Sequence, residues 1–187
     1  MDKFGKSQPV KRVEDLRFLT GEGRYVDDIA PENSLHAYFY RSPVGHGVIA
    51  SLDVSDAREA DGVHAVLTID DLEASGMDIS MDGAILKNRD GTDGAKPLRP
   101  MLAKGRVRFV GEPVAVVIAD TLDQARDAAE LILLDVDDLP THMTLERGGE
   151  ALHEEAPDNL AFDWGLGDEE ATQKAFDAAA KTVSLDV

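Results

Sequence analysis

The chain has no cysteine, so carboxylates, five histidines, hydroxyls and backbone groups are its chemical repertoire. Thiolate zinc sites, iron-sulfur ligation and a cysteine nucleophile are excluded within these 187 residues. His36, His46, His64, His142 and His153 share no ligand spacing and read as packed or exposed residues. Asp135, Asp137 and Asp138 could offer oxygens to a hard cation, but on a strand Asp138 faces away from the other two. They read as a solvated strand end. Asn88-x-Asp90-x-Thr92 begins like a calcium loop, yet Asp93 stands where the turn glycine belongs and Arg99 where the bidentate glutamate belongs. A bare flexible loop is the better reading. Gly45-His46-Gly47-Val48-Ile49-Ala50 spells a dinucleotide fingerprint, but Pro43 precedes it and β-prone sequence follows, so it reads as a tight turn. Lys96, Arg99, Lys104, Arg106 and Arg108 form the one basic cluster, either a solvated strand edge or a docking surface for an acidic partner. With no Walker loop, no G-x-S-x-G and no H-E-x-x-H, the sequence assigns no catalytic, cofactor-binding or metal-binding residue, and a small acidic hydrolase has no constellation behind it.

Charge narrows the partners further. The formal net charge is -18, which argues against nucleic acid, because phosphate binding needs clustered cations. Residues 1–110 hold 15 basic and 18 acidic side chains, and residues 111–187 hold 4 and 19, so the charge sits in the last two-fifths. It reads as a solvated acidic face, with docking to a basic neighbour as the sharper alternative. The longest apolar run, residues 114–119, falls far short of the ~20 residues that span a bilayer. Met1-Asp2-Lys3 opens no signal-peptide core, so a cytoplasmic location is expected.

The elements that must position these residues alternate between strand and helix. Residues 12–28 read as an extended arm with little core of its own. Residues 35–40 read as a strand covered in part on both faces, 48–54 as a second strand and 63–69 as a third. Ser55 is expected to cap a short helix closed by Gly62, and Asp70 with Glu73 another ended by Gly76. Residues 77–104 dissolve into turn residues, the signature of a functional or disordered loop. Residues 107–110 and 114–119 flank Gly111-Glu112-Pro113 and read as one strand that is bulged, bent or at an edge there. That bend either serves the fold alone or delivers Glu112 to an interface. Thr121 and Gln124 cap a helix with the stripe Leu122, Ala125, Ala129 and Ile132, followed by a strand at 133–137. Residues 159–164 read as a short strand, Asp168 as the cap of a helix to Ala180, and residues 182–187 as a strand cut inside a larger protein.

Taken in order, these motifs resemble the N-terminal α/β hammerhead region of the molybdenum hydroxylase large subunits, the xanthine dehydrogenase, aldehyde oxidase and carbon monoxide dehydrogenase family. The resemblance runs from Glu14-Asp15 and Leu19-Thr20-Gly21-x-Gly23-x-Tyr25-x-Asp27-Asp28 through Arg41-Ser42-Pro43-x-x-His46 and Gly62-Val63-x-Ala65-Val66-Leu67 to Val107-Arg108-Phe109-Val110-Gly111-Glu112-Pro113-Val114-Ala115. Ala125-x-Asp127-Ala128-Ala129-Glu130, Leu139-Pro140 and Gly167-Asp168 with Ala175-Phe176 follow in family order. Gly45, Gly47 and Val136 depart from the residues common there.

The resemblance implies an α+β fold: an arm over residues 1–30, a hammerhead domain over 31–140, and an acidic connector over 141–187 that leads into a truncated molybdenum-binding region. It also implies that this chain is the structural N-terminal portion of an oxidoreductase that hydroxylates a small substrate with water-derived oxygen. Molybdopterin would then be the cofactor of the full-length protein, bound by none of these residues. The partners would be the downstream molybdenum-binding domain and iron-sulfur and FAD domains or subunits. A stand-alone interaction module on the same fold is the alternative.

Overall fold

Two antiparallel three-stranded sheets divide the apolar segments between them, and successive strands along the chain alternate between the two sheets. The computed structural model describes residues 11–81 and 83–185. In chain order the strands are β1 (His36–Arg41), β2 (Gly47–Asp53), β3 (Val63–Leu67), β4 (Arg106–Val107), β5 (Pro113–Ala119) and β6 (Leu133–Asp138). The helices are α1 (Asp15–Leu19), α2 (Ser55–Glu59), α3 (Ile69–Ala74), α4 (Leu122–Ala129) and α5 (Glu169–Asp177). One sheet has the order β1-β5-β3 and the other β4-β2-β6.

The central strand β5 explains why its sequence is apolar throughout. Ala115, Val117 and Ala119 join Val66, Ala57 and the α4 residues Ala125, Ala128 and Ala129 in one buried cluster. Val114, on the opposite face, packs with Ala103 and Val107 against Ile49, Leu134 and Val136 of the second sheet. A strand covered on both faces loses the polar alternation of a half-exposed one. Thr121 caps α4 as its sequence predicts, its hydroxyl accepting from the Gln124 amide at 3.2 Å.

Several expectations change. Segments 107–110 and 114–119 are not one bent strand: β4 pairs with β2, whereas β5 lies between β1 and β3. Pro113 is the first residue of β5, where no ladder donor is needed, and the register slips between Tyr40 and Arg41 opposite it, the expected bulge. The arm is not extended. It curls into α1 and a 3-10 turn at Val26–Asp28, closed by the Asp28 carboxylate on the Tyr25 amide at 2.8 Å and by stacking of Phe18 on Tyr25 at 5.5 Å. Neither helical piece buries a residue. β1 is not covered on both faces, since only Tyr40 is partly buried.

The caps shift by small steps. Ser55 is the first helical residue rather than the cap, and Asp53 accepts its amide at 2.9 Å. The third strand ends at Leu67 because Thr68 and Asp71, not Asp70 and Glu73, form the capping box of α3. Loop 77–104 is threaded by the bridges Ser80 to Pro100 and Lys87 to Asp93. Residues 159–164 form no strand but run beside that loop, Ala161 and Asp163 carbonyls accepting from Ala95 and Arg89 at 2.7 and 2.8 Å. Asp168 caps α5 through the Ala171 amide at 2.8 Å, and the helix ends at Asp177 rather than Ala180. Residues 182–185 form no strand, while 186–187, like residues 1–10 of the arm, lie outside the described residues. No described helix is long and apolar enough to cross a membrane.

Candidate functional site

The two most distinctive sequence blocks meet at one corner. Arg41-Ser42-Pro43 leaves β1, and Phe109-Val110-Gly111-Glu112 enters β5, so the antiparallel pairing of β1 with β5 brings their ends together. Ser42 donates its amide to the Glu112 carbonyl at 2.9 Å, Gly111 donates to the Ser42 carbonyl at 2.8 Å, and Arg41 donates from Nη1 to the Gly111 carbonyl at 2.9 Å. Gly111 adopts φ +91°, a conformation costly to any residue with a Cβ. The Ser42 hydroxyl, almost fully buried, accepts the Val44 amide at 3.0 Å and so tightens the next turn.

His46 ties this corner to the exit of β6. Its Nδ1 lies 2.7 Å from the Pro140 carbonyl, which can only accept, so Nδ1 carries the proton. Its own carbonyl accepts the Leu139 amide at 2.9 Å. The ring is 1% exposed and Nε2 has no partner, so His46 is the packed histidine that its spacing suggests. Gly47 opens β2 rather than a helix, which disposes of the dinucleotide reading; a Cβ there would lie 2.7 Å from the Asp137 carbonyl. Residues 43–46 form bends leading into that strand.

Glu112 turns inward. It is 7% exposed, and its Oε2 accepts the Arg108 amide at 2.5 Å across the 108–112 turn. Burial pushes its carboxyl above the usual range, against the opposing pull of the Arg108 amide and charge and the Phe109 amide. The carboxyl therefore holds a turn, in keeping with the reading in which the bend serves the fold. Beside it lies a small cavity of about 170 Å³, lined largely by apolar atoms and including Phe109, Pro113 and His153. His153 titrates below the ordinary histidine value, because burial and the nearby Arg108 charge outweigh Glu155.

The remaining sequence candidates do not converge here. Lys104 pairs with Glu73 and Arg108 donates from Nε to the Leu152 carbonyl at 2.9 Å, so part of the basic cluster ties the fold together rather than forming a free edge. The Asn88 region is occupied by protein partners: Asp90 accepts the Thr92 amide at 2.9 Å, and the Asn88 side chain donates to the Thr92 hydroxyl at 3.0 Å and accepts the Asp163 amide at 2.8 Å. Asp135, Asp137 and Asp138 are exposed along β6. His64 meets Asp120 at 2.7 Å on the surface and His142 Nε2 lies 2.9 Å from the Glu146 carbonyl, while His36 is exposed on β1. Among the described residues no three His, Asp or Glu side chains gather as a metal site. Sequence reasoning missed the role of His46 in joining β1–β2 to the end of β6, which no local spacing reveals.

The family description "Aldehyde oxidase and xanthine dehydrogenase, a/b hammerhead domain" matches residues 20–140, which holds the whole corner. The chain belongs to this family. The chain is 37% identical over 165 residues to the nicotine 6-hydroxylase large subunit of Paenarthrobacter nicotinovorans, covering 85% of this chain and 19% of that one. It is 34% identical over 187 residues to the carbon monoxide dehydrogenase large chain of Hydrogenophaga pseudoflava, covering 91% and 22%. The solved Cu,Mo-CO dehydrogenase in its carbon monoxide reduced state superposes with a TM-score of 0.67 at 32% identity, over 92% of this chain and 22% of that one. The hammerhead chain thus spans about a fifth of the length of these curated relatives.

Proposed function

We propose that the chain is the structural N-terminal portion of the molybdenum-cofactor-binding large subunit of a molybdenum hydroxylase, an oxidoreductase that hydroxylates a small substrate with water-derived oxygen. The observation that carries this reading is the family match over residues 20–140, within which the Arg41-Ser42-Pro43 and Gly111-Glu112-Pro113 blocks lock to each other through backbone hydrogen bonds. Glu112 and Arg108 are engaged in holding a turn, and His46 in holding the end of β6, so their chemistry is scaffolding.

This reading assigns molybdopterin none of these residues. No three His, Asp or Glu side chains converge among the described residues, and the buried corner carboxylate already holds an amide. Polypeptide outside this chain would hold molybdopterin, and no reaction step is assigned to these residues. In this reading residues 1–30 are an arm, 31–140 the hammerhead domain and 141–187 an acidic connector to the molybdenum-binding region. Iron-sulfur and FAD domains or subunits are the proposed electron-transfer partners, in the cytoplasm. The exposed apolar side chains of the arm, Leu16, Leu19 and Val26 among them, support a larger assembly that covers them.

The test is the gene and the protein it encodes. Several hundred further codons after Val187, and stoichiometric molybdenum in the purified full-length product, are the expected results. A stop codon after Val187 with a stable, metal-free protein would overturn the reading in favour of a stand-alone interaction module.

A further inference from the structure

Four strand edges bound the two sheets, and they are not alike. β4 is only two residues long. β6 carries Asp135, Asp137 and Asp138, charges that oppose edge pairing. On β3, Arg58 donates from Nε and Nη2 to the Val66 carbonyl at 3.2 and 3.1 Å. These are three familiar ways of closing an edge. β1 has none along most of its length. It is six residues long and pairs with β5 on one side, and among the described residues no backbone hydrogen bond joins it to any other segment.

Between His36 and Arg41 the side chains of that edge, Ala37, Tyr38, Phe39 and Tyr40, are apolar or aromatic. Tyr38 is 36% and Phe39 44% exposed. Arg126 of α4 sits 5.9 Å from the Tyr38 ring centroid, and Arg41 sits 5.8 Å from that of Phe39, so both cations lie over rings. Between the edge and α4 runs an open groove of about 560 Å³, whose far wall is Arg126, Ala129 and Glu130. A groove beside an unpaired strand is the geometry of strand addition, in which main-chain hydrogen bonds supply affinity and alternate side chains enter the groove.

We propose that β1 receives a fourth strand of its sheet, supplied by an extended segment of the same large subunit that follows residue 187. This rests on the functional reading above, in which about four-fifths of the subunit lies outside this chain, judging from the 22% of the carbon monoxide dehydrogenase large chain that it spans. An intramolecular strand fits the edge better than a transient ligand, because an open aromatic edge in a finished protein invites aggregation. The added strand runs along His36–Arg41 and lays its apolar side chains toward Tyr38 and Ala129.

Hydrogen exchange on the full-length subunit, with fragmentation to single amides, tests this together with a photo-crosslinking residue at Ala37. Amides 36–41 are expected to exchange within tenfold of the central β5 amides, and the crosslink is expected to join position 37 to a segment beyond residue 187 of the same polypeptide. Alternate β1 amides exchanging at least a hundredfold faster than β5 would overturn the inference, leaving the functional reading intact. A crosslink to another subunit or a second copy would overturn the choice of occupant. A protein that ends naturally at Val187 removes both.

Discussion

The Glu112 carboxylate accepts the backbone N–H of Arg108 at 2.5 Å, closing the turn through which the chain passes from the β4 sheet to the β5 sheet. Between them Gly111 takes a left-handed backbone conformation, and Glu112 is buried immediately before β5 begins. The turn is held from inside by a carboxylate and from outside by Arg41 on the Gly111 carbonyl.

Removing that carboxylate leaves a part-buried amide without its acceptor. Glu112→Ala is expected to destabilise the chain by about 1–3 kcal/mol. Glu112→Gln, whose amide oxygen can still accept from Arg108, is expected to lose much less. Urea midpoints at pH 7 distinguish the two, and equal midpoints for the alanine variant and the parent would show that the bond is idle.

The same residue sets a pH dependence. Burial raises its folded pKa above the unfolded value, so its contribution to stability is complete below the ordinary glutamate range and is lost as pH rises through the raised value. Stability of the parent should therefore decline across the window that starts near ~4.3 and extends upward. Subtracting the Glu112→Gln curve from the parent curve isolates this decline; a flat difference would contradict it.

Asp71 works in the opposite direction. Burial alone would raise its carboxyl, but the Thr68 amide and hydroxyl and the Arg58 guanidinium together bring it below the usual carboxylate range. A lowered folded pKa contributes stability above the unfolded value and loses it as pH falls through the folded one. Asp71→Asn is expected to flatten the acid limb of the unfolding curve below the ordinary aspartate range. Thr68→Ala should cost about 1 kcal/mol through the lost hydroxyl bond to the Asp71 carboxylate.

These residues also show what was legible beforehand. The Thr121 to Gln124 cap is a local pattern that appears where the spacing puts it; of the expected stripe Ala125 and Ala129 are buried on α4 together with Ala128, Ile132 packs just beyond the helix and Leu122 is half-buried. The Thr68 cap was hidden because Asp70 and Glu73 present an equally good local signal two residues on, and packing of Ile69 into the interior decides between them. Assigning β4 and β5 to different sheets depends on partners 50 or more residues away, Val48 for Arg106 and Tyr40 for Ala115, which no window along the chain contains. Membership of the hammerhead family was readable from the order of weak motifs. Glu112 and His46 stand inside those motifs, but their inward aim depends on the tertiary pairing.

Two glycines separate backbone strain from steric clash. Gly111 has φ +91° and open space around a Cβ, so Gly111→Val should cost about 1–3 kcal/mol through strain alone. Gly111→Asn, which tolerates that region better, should cost less. Gly47 has no such backbone demand, but its Cβ would meet the Asp137 carbonyl at 2.7 Å, so Gly47→Ala should also cost about 1–3 kcal/mol, by forcing β2 from β6. Thermal melts compare the series. An asparagine as damaging as valine at 111 would mean that clash, not conformation, fixes that glycine.

His46 offers the most discriminating substitution. Its Nδ1–H donates to the Pro140 carbonyl while the buried Nε2 lone pair goes unsatisfied, so one ring nitrogen stabilises the fold and the other costs desolvation. An asparagine places its amide donor where Nδ1 stands and has no atom at the Nε2 position. His46→Leu removes the useful donor and strands the Pro140 carbonyl. The leucine variant is therefore expected to lose about 1–3 kcal/mol from the unpaired acceptor, partly offset by relief of Nε2. The asparagine variant should fall between leucine and the parent, because it keeps the bond but leaves a void where the ring packed. Hydrogen exchange of the Leu139 amide, which donates to the His46 carbonyl at 2.9 Å, reports on the same junction without global unfolding. It should quicken in the leucine variant and stay near the parent rate in the asparagine variant. If both variants exchange alike, the side-chain bond to Pro140 contributes nothing to holding the end of β6.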